Sequence, residues 1–228
     1  MLSFGPLKGR LHPAGIPFVA VAGVVAFVAF FVSTALGVVG GLLMLCVAAF
    51  FREPHRVAFK DDSVLLSPAD GLLVGIEKAV PPQEIGMYQE GDWVRLSIFL
   101  SVFDVHVNRM PQKGRVLMTA YHKGQFFNAS LDKASALNER NSVVLETSRA
   151  TVVITQIAGL LARRIVCGVS IGDMVKAGET FGIIRFGSRV DLYVPAEAHV
   201  EVLKGQRMVG GETVVARFSP KRKTASGK

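Results

Sequence analysis

Three short clusters in this 228-residue chain hold the residue types from which proton transfer and nucleophilic attack are built. The first, Ser67-Pro68-Ala69-Asp70-Gly71, sets a carboxylate in a proline and glycine turn between two apolar runs. The second, Phe103-Asp104-Val105-His106-Val107-Asn108-Arg109-Met110-Pro111, crowds an imidazole with acid, amide and guanidinium groups. The third, Arg185-Phe186-Gly187-Ser188-Arg189-Val190-Asp191, interrupts a strand-like region with a Gly-Ser pair. Each has an ordinary structural explanation: an Asp in such a turn can simply reverse the chain, a lone His is commonly a structural hydrogen-bonder, and Gly-Ser is a common turn. Taken singly, none specifies an activity.

The elements that must position these clusters are of two kinds. Residues 14–51 contain no Asp, Glu, Lys, Arg or His, and such a run belongs in lipid. A span takes roughly 20 apolar residues, so the run is too long for one untilted helix and slightly short for two full spans. We expect a helical hairpin, transmembrane or re-entrant. Its reversal is expected in Gly37-Val38-Val39-Gly40-Gly41, after Ser33-Thr34, because glycine weakens a helix and permits a tight turn. Lys8 and Arg10 precede the run, and Arg52, Arg56 and Lys60 follow it. Cations stay on the cytoplasmic side, which predicts both ends and the rest of the chain at the cytoplasmic face of the plasma (inner) membrane. A cleaved signal peptide competes with this reading, but its apolar core is only about 7–15 residues long.

Downstream, short apolar runs at residues 64–66, 71–76, 93–100, 150–157, 160–166, 179–186, 190–194 and 200–203 read as strands. Residues 129–141 lack strand alternation and read as a short helix or an ordered loop. The expected fold is mainly β: a compact β-sandwich or barrel-like domain behind an N-terminal membrane hairpin. The organisation follows as a cytoplasmic segment (1–13), the hairpin (14–51), a linker (52–63) and a β-rich domain (64–228).

Cys46, inside the apolar run, and Cys167 are too few and too far apart for a metal cluster, so no metal is expected. The net charge of +8 is spread along the chain, with a small cluster at Lys221, Arg222 and Lys223. Beside a membrane anchor its simpler use is attraction to anionic lipid, about 1 kcal/mol per surface cation, and no nucleic-acid partner is expected.

The three clusters, in this order behind an apolar hairpin, resemble the phosphatidylserine decarboxylases in their short bacterial and archaeal form. The likeness covers essentially the whole chain and includes Asn138-Glu139-Arg140-Asn141 and the segment from Gly172-Asp173 through Gly187-Ser188 to Pro195. It implies a proenzyme in which Ser188 attacks the Gly187 carbonyl, the peptide bond becomes an ester, and elimination divides the chain into residues 1–187 and 188–228. A pyruvoyl group made from Ser188 would then be the cofactor. The two cleaved chains would stay associated, and phosphatidylserine in the membrane would be converted to phosphatidylethanolamine in phospholipid biosynthesis. An oligomer is left open.

The implied chemistry is internally consistent. Decarboxylating an amino acid leaves a carbanion that needs an electron sink, which no encoded side chain supplies. Glycine at 187 leaves the carbonyl open to attack. A serine hydroxyl needs a base, and the base needs an orienting group; His106 and Asp70 are the candidates. The resemblance implies that Asp70, a histidine and Ser188 act together in self-cleavage and that His106 assists decarboxylation. The longer bacterial forms carry a second histidine three residues on, where this chain has Arg109. Either His106 serves both reactions, or His122 in Tyr121-His122-Lys123-Gly124 supplies a second imidazole. Arg109, Arg140, Arg185 and Arg189 are the candidates for the substrate's carboxylate and phosphate.

Two rival readings exist. The turn Gly172-Asp173-Met174-Val175-Lys176-Ala177-Gly178-Glu179 has the look of lipoyl or biotinyl carrier modules and of membrane adaptors, which are β-rich and lack catalysis. No lysine sits between methionine or small residues in the way a carrier requires. Alternatively, a pyruvoyl enzyme could act on a soluble amino acid, a reading the apolar anchor opposes.

Overall fold

The computed structural model describes residues 9–125, 137–159, 164–185 and 188–219. The tail cluster at Lys221, Arg222 and Lys223, most of the 129–141 segment and the first part of the run at 160–166 lie outside these residues.

The apolar run folds as two antiparallel helices, α1 (Ile16–Val32) and α2 (Thr34–Phe50). The reversal falls at Ser33, in extended conformation with φ −162° and ψ 137°, and not in the expected glycine stretch. Two of those glycines, Gly37 and Gly40, serve the contact between the helices. A Cβ on Gly37 would lie 2.6 Å from Phe30, and one on Gly40 would lie 2.8 Å from Ala26. Small residues let helices approach closely in lipid, where hydrophobic exclusion cannot drive them together. The outward faces, including Val24, Phe27, Phe31, Leu42 and Leu43, are apolar and exposed. The stretch Pro13–Val32 is long and apolar enough to cross a membrane, whereas α2 is shorter.

The hairpin is closed at its base by β1 (Gly9–Leu11) and β2 (Arg52–Pro54), which pair antiparallel. The remaining strands are β3 (Val64–Leu66), β4 (Gly71–Lys78), β5 (Trp93–Leu100), β6 (Val107–Arg109), β7 (Gly114–His122), β8 (Arg140–Glu146) and β9 (Thr151–Ala158). They continue with β10 (Arg164–Cys167), β11 (Met174–Val175), β12 (Thr180–Arg185), β13 (Ser188–Pro195), β14 (His199–Val200), β15 (Arg207–Met208) and β16 (Val214–Arg217). Eight of them form one antiparallel sheet in the order β11-β7-β8-β9-β13-β5-β4-β15, curled into a half-barrel. Two three-stranded sheets, β10-β12-β6 and β14-β16-β3, complete the domain. The mainly β reading therefore holds.

Alternation places the core. In β13, Val190, Leu192 and Val194 face the main core with Leu96 and Ile98 of β5 and Ile154 of β9. The opposite face of the large sheet carries Trp93, Val144, Val153 and Tyr193, packed with Ile85 from the turn Gln83–Gln89. Because both faces are covered, β13 is buried through Val194. A third cluster joins Phe50 and Phe51, at the end of the hairpin, to Val105, Val107 and Ile183. The apolar hairpin is thus seated on the small sheet that carries His106.

Candidate active site

The large sheet gathers the three clusters at one of its ends. Ser188 opens β13 between Leu100, the last residue of β5, and Ala158, the last of β9. Asp70 immediately precedes β4, whose Leu72 pairs with Phe99 of β5. His106 immediately precedes β6, and the Ile184 N–H of β12 donates to its carbonyl at 3.4 Å. β12 leads through Phe186 and Gly187 into Ser188; these two residues, including the expected cleavage-site glycine, lie outside the described set.

A buried amide chain fixes how the two sheets face each other. Gln156 Nε2 donates to Asn108 Oδ1 at 2.8 Å, and Asn141 Nδ2 donates to Gln156 Oε1 at 3.1 Å. Two residues along from Gln156 is Ala158, paired with Ser188. Two residues along from Asn108 is His106, beside Ile184, on the side toward which β12 runs to reach Ser188. His106 and Ser188 therefore lie at the same end of the gap between the sheets.

Both residues are fully buried, and neither Ser188 Oγ nor His106 Nε2 has a hydrogen bond among the described residues. Buried polar atoms are nearly always paired, so two complementary ones left open at one end of a gap mark a site. His106 Nδ1 lies 3.0 Å from the Asp104 carbonyl. A ring nitrogen facing a carbonyl carries the proton, which assigns Nδ1–H and leaves a lone pair on Nε2. Burial pushes the His106 pKa down to about 4, against the opposing pull of Asp104 and aided by Arg52. The imidazole is neutral near pH 7 and able to accept a proton. The Phe50 ring closes one side of it, at 4.1 Å between centroids.

Asp70 is held in a rigid turn. Ser67 Oγ donates to the Ala69 carbonyl at 2.7 Å, and the Arg109 N–H donates to the Pro68 carbonyl at 2.8 Å. Gly71 follows with φ 149°, where a side chain would run into the Phe99 carbonyl, so only glycine fits. Asp70 Oδ2 accepts from Arg56 at 2.7 Å and Oδ1 accepts from the Gly210 N–H at 2.7 Å. Burial raises the Asp70 pKa, more than Arg56 and the Gly210 N–H pull it down. The structure brings Asp70 to the same sheet end as Ser188, yet among the described residues its hydrogen bonds go to Arg56 and Gly210 and none goes to an imidazole. The orientation of His106 comes from the Asp104 carbonyl instead.

Register separates the other candidates. His122 pairs with Arg140, Arg140 with Ile157 and Ile157 with Arg189, so all four share one face of the large sheet. Ser188, adjacent to Arg189 in an extended strand, points to the other face. Arg140 makes a two-pronged contact with Glu84, Nε to Oε1 at 2.7 Å and NH2 to Oε2 at 2.9 Å. Arg189 donates to Asp191 at 2.6 and 3.1 Å and to Ser97 Oγ at 2.8 Å, in a pair with almost no solvent exposure. Arg109 and Arg185 belong to the small sheet. Arg109 donates to the Gly178 and Pro54 carbonyls at 2.9 and 2.7 Å. Arg185 sits over the Phe18 ring, 5.1 Å from its centroid, and makes no ion pair among the described residues.

Beneath the hairpin a cavity of about 490 Å³ is lined by Arg10, Glu53, His55, Arg56 and Arg109, one guanidinium away from Asp70. A cavity of about 560 Å³ lies at the opposite end of the sheet, beside Gly114 and Glu146, and has no part in this cluster.

Sequence reasoning does not find Phe50, Arg56 or Gln156. Phe50 carries one usable signal, as one of two aromatics closing the apolar run. Nothing local marks Arg56 or Gln156, whose roles come entirely from partners distant in the chain.

Residues 43–216 match the family model described as phosphatidylserine decarboxylase. The chain is 51% identical over 210 residues to the phosphatidylserine decarboxylase proenzyme of Saccharopolyspora erythraea, spanning 92% of this chain and 89% of that relative. It is 46% identical over 223 residues to the proenzyme of the same name from Rickettsia akari, spanning 97% and 96%. With that of Rickettsia felis it shares 45% over 229 residues, spanning 100% and 98%.

Proposed function

The chain belongs to the phosphatidylserine decarboxylase family, and on that premise we propose that it matures by cutting itself between Gly187 and Ser188. The observation that carries this reading is the open pair at the end of the gap: a buried Ser188 Oγ and a buried, neutral His106 Nε2, each without a partner among the described residues.

In the first step Nε2 takes the Oγ proton as Oγ attacks the Gly187 carbonyl carbon. The bond from that carbon to the Ser188 nitrogen breaks, the nitrogen takes a proton, and an ester replaces the amide. Loss of the Ser188 α-proton then expels Oγ with the Gly187 carboxylate and divides the chain. Water replaces the nitrogen, which leaves as ammonia. His106 is oriented by the Asp104 carbonyl, and Asp70 would join it on release from Arg56.

The residues at position 188 fit a pyruvoyl group: the strand start is dry and a proton-transferring imidazole lies at the same end of the gap. Once formed, that group supplies a carbonyl that withdraws electrons as carbon dioxide leaves. The remaining work falls to this chain. His106 moves a proton at Nε2, Phe50 helps exclude water, and the guanidinium groups of the cavity under the hairpin offer partners for a lipid phosphate. The two cleaved chains stay together because β13, in the second, is paired along its length with β5 and β9 of the first.

The apolar hairpin supports a membrane location, and the cations around it favour the cytoplasmic face of the plasma (inner) membrane. A two-tailed lipid scarcely leaves the bilayer, so an anchored site is suited to it. Carbon dioxide release from phosphatidylserine and from free serine tests the assignment. Release from the lipid alone is expected, and equal turnover of the two would count against a lipid substrate.

A further inference from the structure

The loop between β5 and β6 presents apolar side chains where turn chemistry calls for polar ones. The Asp104 N–H donates to the Ser101 carbonyl at 2.9 Å, while Ser101 N–H and Oγ donate to Asp104 Oδ2 at 2.8 and 2.7 Å. Ser101 and Asp104 thus lock each other across a tight turn, and its two central residues are Val102 and Phe103. Central turn positions favour Gly, Pro, Asn, Asp and Ser. Here Phe103 is 83% exposed and Val102 is 44% exposed. Single exposed apolar residues elsewhere, such as Leu203 or Val80, need no explanation. This pair differs because of where it is tied.

Arg52, two residues beyond the last residue of α2, donates through NH1 to the Ala49 carbonyl at 2.6 Å and through NH2 to the Phe103 carbonyl at 2.7 Å. One guanidinium therefore pins the turn to the last turn of the membrane hairpin. Arg207 pairs with Asp104 on the same turn, with its side chain 67% exposed. The result is an aromatic and a β-branched side chain, flanked by cations, level with the end of an apolar hairpin. That composition matches the boundary of a bilayer, where aromatic rings sit at headgroup depth and cations meet lipid phosphates.

We propose that Val102 and Phe103 form a wedge that inserts into the interface of the bilayer holding the hairpin. The inference rests on the membrane reading given above. The wedge sits on the loop that carries His106, so it would hold the mouth of the gap against the lipid surface. A protein partner or a second copy would need the same face, and the experiment separates these occupants.

The full chain is prepared with Phe103→Trp in a Trp93→Phe background and placed in vesicles of phosphatidylcholine and phosphatidylglycerol. A blue-shifted emission, quenched by bromine on the acyl chains and shielded from aqueous acrylamide, is expected. Vesicle flotation with an emission that stays red-shifted and is quenched by acrylamide would overturn the wedge and leave the membrane reading standing. Failure to float would remove the membrane reading itself. A blue shift in detergent alone that grows with protein concentration would identify a protein contact and overturn the lipid assignment. In parallel, Val102→Ser with Phe103→Ser should lower turnover of vesicle-borne phosphatidylserine about tenfold, while short-chain substrate in micelles and self-cleavage are unaffected. An equal loss on both substrates would contradict the wedge.

Discussion

Phe50, the last residue of α2, packs its ring against the imidazole of His106, with centroids 4.1 Å apart and planes inclined by 35°. A residue of the apolar hairpin is therefore a wall of the candidate site. Arg56, a few residues on, holds Asp70 at 2.7 Å. The apolar hairpin and the segment that follows it thus touch both His106 and Asp70, so under the proposed function the hairpin would be part of the site.

His106 should work as a base over an unusually wide acid range. With its pKa pushed down to about 4 by burial, the ring stays neutral from pH 8 to about pH 5. The self-cleavage rate should be flat across that window and fall only below it, where the wild-type precursor is followed by gel densitometry. The same depression has a stability consequence. The unfolded ring takes a proton near its ordinary value of 6.5 while the folded ring resists, so stability is full above 6.5 and declines as pH falls toward 4. His106→Gln should flatten that slope in thermal unfolding and slow cleavage by about 10²- to 10⁴-fold.

Removing the Phe50 ring should move the acid limb. Phe50→Ala lets solvent reach the imidazole, so the His106 pKa rises toward its ordinary value and cleavage begins to fall at a higher pH. Phe50→Leu, which keeps apolar cover, should shift it less. A lower rate with an unmoved pH profile would show that Phe50 only packs.

The Arg56 and Asp70 pair is testable by a double-mutant cycle. Arg56→Ala leaves a mostly buried carboxylate without its cation and should cost about 1–3 kcal/mol in thermal unfolding. Asp70→Asn should remove most of that penalty, because a neutral amide needs no counter-ion. Burial already raises the Asp70 pKa, so the folded state holds its proton to higher pH than the unfolded chain. The Arg56→Ala penalty should accordingly shrink as pH falls and Asp70 becomes protonated in both states. Additive effects of the two changes would rule out the coupling.

The arginines should divide by face. Arg189 and Asp191 are 1% and 0% exposed on the side of the sheet away from Ser188. Arg189→Met should cost about 3–5 kcal/mol by taking the guanidinium from a buried carboxylate, with KM for the lipid unchanged in the folded fraction. Arg185→Ala should raise KM with little change in unfolding temperature. The reverse pattern would exchange their roles.

Much of this arrangement can be read from the chain. The apolar run, and strands such as β5, β9 and β13, are visible because their apolar patterns are long. β7 and β8 are not, and the reason is physical. In β8, Arg140, Asn141 and Ser142 are buried only because Glu84, Gln156 and Thr155 meet them, and those partners are distant in sequence. Ser33 does not stand out as the hairpin break because the glycines nearby look weaker, yet packing against α1 turns Gly37 and Gly40 into contact residues. The clusters around Asp70, His106 and Ser188 can be named from sequence. Which face each side chain takes cannot, since that depends on register, and register alone separates His122 from Ser188.

Intact mass spectrometry of the purified protein tests the central claim most directly. Two chains are predicted, residues 1–187 and 188–228, the shorter one lighter by one ammonia than its sequence requires and refractory to Edman degradation. Ser188→Ala should remain a single chain. A wild-type protein that persists as one chain of 24.5 kDa with an intact serine at 188 would contradict the account.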